Sequence, residues 1–168
     1  MCEHAVSWIY KLPSNFVWES PWRLTEDVIC RDKTGTVRLI VEAEGRVTVT
    51  SDYAWNGCSP KFCVFDLLFG TPDGVVDSRT EHPKTYYASL VHDALYQFFP
   101  DGLPLGRAEA DRSFYLLMAA TGFRLRFLYW LAVRLAGGAI WRAQRRARHN
   151  AGRIDTAQAW GGAGRGHE

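Results

Sequence analysis

The sequence predicts an α+β domain: a small N-terminal antiparallel β-sheet followed by a helical C-terminal half, in which an antiparallel helical hairpin leads into a long basic amphipathic helix. Three observations carry this. RVTVTS (46–51) alternates apolar and polar residues, with Val47 and Val49 on one face, the period of a half-buried strand. β-branched and aromatic residues crowd NFVWES (15–20) and TVRLIVEA (36–43). Beyond residue 83 the period becomes helical: His92, Leu95, Tyr96 and Phe99 fall at i, i+3, i+4 and i+7.

Taken in order, residues 1–51 read as β-rich, with the glycine of EAEGRV turning a hairpin into 46–51. From 52 to 83 the pattern dissolves into glycine, proline and aspartate around a short apolar island, FCVFDLLFG (62–70). Such irregular stretches in a compact domain carry function or are disordered. The helical part, 84–150, divides into three. A first helix over 84–98 is led by Pro83 and ended by Pro100, and 99–106 is a loop. A second helix over 107–121 stops at Gly122, a C-cap residue. The third, 124–148, is expected to kink at Gly137–Gly138. Residues 1–150 thus form a single domain, and 151–168 read as a disordered tail.

Composition narrows the function classes. Of 168 residues, 47% are apolar and 14% aromatic, which excludes a disordered chain. The net charge of +2 hides an asymmetry. Residues 1–123 hold 11 Lys+Arg against 16 Asp+Glu, a balance of −5, whereas residues 124–168 hold 9 Arg against 2 acids, a balance of +7. The aromatic and arginine content of the third helix suits a phospholipid surface; a core helix with a basic outer face has the same composition. Nucleic acid is the weaker partner, because no recognised nucleic-acid module accompanies the arginines. The four cysteines, Cys2, Cys30, Cys58 and Cys63, form no CxxC pair, so no structural zinc is expected, and Cys58 and Cys63 read as small core residues. MCEHAVSWIYKLPSN is a poor secretory signal, and FLYWLAVRLAGGAIW (127–141) is short and broken by Arg134. A cytoplasmic site of synthesis is expected.

One constellation can carry chemistry. His92 lies on the apolar stripe of the first helix, and Asp93 projects about 100° away from it. In the second helix Asp111 shares a stripe with Phe114, Tyr115 and Met118. A carboxylate on a buried face needs a partner, since desolvating it alone costs several kcal/mol. A hairpin through 99–106 would supply His92. Such a pair fixes the imidazole tautomer and leaves the other nitrogen as a base. The glycine-containing loop DYAWNGCSP (52–60) offers backbone carbonyls, which with Asp93 make hard oxygen ligands of the kind calcium takes.

NGCSP (56–60), VHDALY (91–96) and RAEADRSF (107–114) resemble, in that order, the calcium loop, HDxxY helix and second helix of the small secreted phospholipases A2, especially their bacterial, fungal and parvoviral branches. The likeness spans roughly residues 52–120. It implies that His92 activates water, that Asp111 orients His92 and that Tyr96 hydrogen-bonds to the supporting acid. Calcium would be held by Asp93 with carbonyls around Asn56, Gly57 and Ser59. This chain departs from the pattern in having no cysteine beside His92, one glycine in the loop, and 32 residues between Ser59 and His92. The strand pair, NGCSP loop, HDALY helix and amphipathic last helix also resemble a family of small proteins of unknown function encoded by phages and prophages. That likeness implies phage proteins as partners and a virion-associated location.

Two further readings stand beside the lipid esterase. His92, Tyr96 and Asp111 can be a structural network that locks helices together in a non-catalytic virion or accessory protein. An HD-type metal phosphohydrolase would instead need His82 within metal distance of His92 and Asp93, with Asp111 as the downstream acid.

Overall fold

The computed structural model describes residues 10–57, 61–64, 67–70, 76–99, 103–148 and 155–156. Over that range the architecture is α+β, with antiparallel strands in the N-terminal half and three helices in the C-terminal half. Strands β1 (Tyr10–Lys11), β2 (Phe16–Glu19), β3 (Val28–Arg31), β4 (Val37–Val41), β5 (Arg46–Val49) and β6 (Ala54–Trp55) come first. A hairpin of β7 (Lys61–Val64) and β8 (Leu67–Gly70) occupies the apolar island. Helices α1 (Tyr86–Phe98), α2 (Arg107–Ala120) and α3 (Arg126–Arg148) follow, and β9 (Asp155–Thr156) lies in the segment read from sequence as a tail.

The main sheet has the order β2-β5-β4-β3-β9, and β1 pairs with β6. Register places one apolar row across its inner face: Val28 opposite Val41, Cys30 opposite Leu39, Leu39 opposite Val49, and Val41 opposite Val47. Phe16 and Trp18 extend the row from β2. Leu39, Val41, Val47 and Val49 are fully buried, each contributing about 1.5–3 kcal/mol. α1, whose Leu90, Val91, Ala94 and Leu95 are fully buried, packs on β4 and β5, and Tyr87 stacks on Phe16 at a centroid distance of 4.3 Å. The alternation that marks β5 in the sequence is therefore the pattern that seats α1.

β3 is not announced by the sequence. Its four residues, VICR, include the strand formers Val28 and Ile29 but sit inside the charged run EDVICRDK, too short to stand out until they pair with β4. α3 also departs from expectation: it runs unbroken through Gly137–Gly138. α2 ends as the sequence indicates. Gly122 adopts φ +65°, its N–H reaches Ala119 O at 3.0 Å, and the N–H of Phe123 reaches Met118 O at 3.0 Å, a Schellman cap. His82 leads into α1 with its ring stacked 4.0 Å from that of Tyr86.

The β4–β5 turn holds the link between sheet and helices. Gly45 has φ +99°, and its carbonyl accepts from the Ser20 backbone N–H at 2.9 Å and from the Ser20 hydroxyl at 2.6 Å. The β2–β3 connection is thereby pinned so that the Trp22 indole N–H donates to Ser113 Oγ on α2 at 2.9 Å. A side chain at 45 would meet the carbonyls of Ser20 and Trp22 as well as the left-handed backbone strain. Gly45→Ala should therefore destabilise the fold by about 2 kcal/mol or more, read as a lowered denaturation midpoint. An unchanged midpoint would show that this turn is not under that constraint.

Candidate functional site

α1 and α2 run antiparallel: His92 meets Asp111, while Tyr96, one turn further along α1, meets Arg107, one turn back along α2. At the crossing Asp111 is fully buried. Its Oδ1 lies 3.0 Å from His92 Nε2 and accepts from the Tyr96 hydroxyl at 2.6 Å. Its Oδ2 accepts from Arg134 Nη1 at 3.1 Å and is ion-paired with Arg107 Nε at 3.5 Å. One carboxylate thus collects donors from all three helices. Tyr96 Oη in turn accepts from Arg107 Nε at 3.1 Å, so the tyrosine relays between the acid and the arginine.

Arg107 is the first residue of α2, where a cation opposes the helix dipole. Its guanidinium is held instead by α3, donating to the carbonyls of Val133 (3.4 Å) and Arg134. This close approach explains the paired glycines. A Cβ at Gly137 would stand 2.9 Å from Tyr96 Oη and 3.2 Å from Arg107 Nη2, and one at Gly138 would stand 3.1 Å from Arg107 Nη1. The glycines open a seat for the arginine, and the helix continues through them.

The electrostatics follow from burial and charge. Burial pushes the Asp111 carboxyl up, but His92, Tyr96 and Arg134 outweigh it and hold the group below its ordinary value. Burial likewise disfavours the His92 imidazolium, but the bond to Asp111 and the nearby Asp93 carboxylate raise its pKa above 6.5. Burial and then the bond to Asp111 raise the Tyr96 phenol, which stays protonated. Because an ionised Asp111 only accepts, His92 Nε2 carries a proton, leaving Nδ1 as the nitrogen that titrates.

Nδ1 lies 3.7 Å from Asp93 Oδ1. Asp93 occupies the α1 face between Ser89 and Gln97. These two bond the neighbouring strand, Ser89 Oγ to Trp55 Nε1 at 3.1 Å and Gln97 Oε1 to the Tyr53 hydroxyl at 2.8 Å. The chain through β6 therefore runs along the Asp93 side of α1 from Gln97 toward Ser89, and Asn56–Gly57 continue beyond the Ser89 contact, with Gly57 at φ +75°. Ser59 and Cys58 lie outside the described residues. Among the described residues no group of three His, Cys, Asp or Glu side chains could hold a metal ion, and His82 stacks on Tyr86, an arrangement that gives the phosphohydrolase reading no support. His92 itself is only 8% exposed and packs against the rings of Tyr96 and Phe114.

The partners that sequence reasoning missed are Arg107 and Arg134. Arg107 stands four residues before Asp111, a spacing that pairs charges on a helix. Arg134 is the lone charge inside an apolar run. It also reaches a cleft of about 610 Å³ between the β2–β3 connection, α2 and α3, walled by Trp22, Trp130 and Leu116 and carrying Arg112.

The sequence matches no family model, no curated protein and no solved structure.

The network should show in the pH dependence of stability. With the folded pKa of His92 above its unfolded 6.5, its contribution is complete below 6.5 and is lost as pH rises through the folded value. With the folded pKa of Asp111 below 3.8, its contribution is present above 3.8 and is lost as pH falls through the folded value. Denaturation midpoints across pH should therefore decline on the alkaline side in the wild type, and His92→Gln should flatten that limb. An identical alkaline limb in His92→Gln would contradict the assignment.

Proposed function

We propose that the protein is a calcium-dependent lipid ester hydrolase of the phospholipase A2 type. The observation that supports it is the orientation of His92: Asp111 and its partners hold Nε2, and Nδ1 is left beside the Asp93 carboxylate. The order of NGCSP, HDALY and RAEADRSF along the chain supports the same reading. In this scheme neutral His92 takes a proton from water through Nδ1 as the water oxygen attacks the ester carbonyl, and returns that proton to the departing alcohol. Asp111 stabilises the imidazolium formed between the two steps, and Tyr96 and Arg107 keep the carboxylate in place.

The residues available for calcium fit its chemistry. Asp93 offers a carboxylate and Asn56, Gly57 and Ser59 offer carbonyl oxygens, the hard donors calcium takes, and Gly57 has a positive φ. Calcium, when bound, would polarise the ester carbonyl and offset the charge that develops on its oxygen.

A second reading is favoured by one specific observation: Asp111 is fully buried and fully surrounded by donors, as in a network whose work is to lock three helices together. Fatty-acid release from mixed phospholipid vesicles, with calcium or with EDTA, separates the two. The hydrolase reading expects calcium-dependent release, lost by at least about a hundredfold in His92→Ala and in Asp93→Asn while both remain folded. No release from the folded wild type would leave the locking network as the role of these residues.

A further inference from the structure

α3 has two faces with opposite environments. Tyr129 and Val133 are buried against the domain, whereas Leu128, Leu131 and Leu135 are 58%, 38% and 76% exposed. These three leucines follow i, i+3 and i+7, and Leu125 (51% exposed) and Phe127 (57% exposed) flank them. A single exposed leucine needs no explanation, but four large apolar side chains on one helix face, with Leu125 just ahead of it, do. Across 124–148 the chain has 7 arginines and no acidic residue.

We infer that this face of α3 lies flat on an anionic lipid surface. The leucines and Phe127 enter the boundary between headgroups and acyl chains, and the arginines other than Arg134, which is paired with Asp111, meet lipid phosphates. Charge decides between occupants. Pairing two copies of the chain along this stripe brings only like charges together, in either helix orientation, because 124–148 carries no acid to receive the arginines. An anionic bilayer supplies both an apolar layer and the opposite charge. The helix rests on the membrane and does not cross it, since among the described residues none is long and apolar enough to span. The inference stands on α3 alone and holds whether or not His92 is catalytic.

The test is co-sedimentation of the full chain with vesicles of phosphatidylcholine alone and of phosphatidylcholine mixed with phosphatidylglycerol. The expected result is sedimentation with the mixed vesicles only, declining as salt is raised. Leu128→Gln combined with Leu135→Gln should weaken binding by about tenfold or more with an unchanged melting curve, because both positions are solvent-exposed. The inference is overturned if the folded wild type stays in the supernatant with anionic vesicles, or if the double variant binds as well as the wild type. It is equally overturned if the protein without lipid is a dimer that the double variant dissociates, which would make the stripe a self-interface.

Discussion

A buried carboxylate is the constraint on which the helical half depends. Leaving Asp111 desolvated and unpartnered would cost several kcal/mol, a large share of a domain's total stability. The chain meets that cost with His92 and Tyr96 from α1, Arg107 from α2 and Arg134 from α3. Each donor belongs to a different turn or helix, so satisfying the acid fixes where the three helices cross. Apolar packing of Phe114, Leu117 and Met118 draws α2 into the core, but it would tolerate small slides that the hydrogen bonds do not.

Other features follow from that crossing. Arg107 is seated on α3 carbonyls, in room that Gly137 and Gly138 leave by lacking side chains. The Tyr96 hydroxyl sits between acid and arginine, giving to one and accepting from the other. His92 then has one nitrogen committed and the other beside Asp93, on the side of α1 along which β6 runs. The proposed chemistry uses the nitrogen that the network does not occupy. α3 serves the network with its buried face, and its other face carries the leucine stripe, so site and proposed lipid surface share one helix.

Much of this was legible in the sequence, for identifiable reasons. Helical spacing put His92 and Tyr96 on one stripe, and the burial of Asp111 required a partner that only a hairpin could bring. Alternation in 46–51 located β5, and Gly122 marked the end of α2. What stayed hidden was non-local. VICR has strand formers but is too short, between charged residues, to be marked as a strand without its pairing to β4. Gly137–Gly138 resembles a kink until the guanidinium of Arg107 is placed against it, and Arg134 looks like an interruption until its distance to Asp111 is known. Spacing along one helix is readable from sequence; a contact between residues 107 and 137 depends on how two helices cross.

Native-state hydrogen exchange in Asp111→Asn tests the organising role of this residue most directly. Asparagine keeps the shape but replaces two ionic acceptors with one neutral acceptor and a donor that faces other donors. If Asp111 ties the helices together, amides of α1, α2 and α3 around the crossing lose protection together, while those of β4 and β5 keep theirs. Loss confined to the turn of α2 around residue 111 would contradict the account, because the three helices would then be held by apolar packing alone.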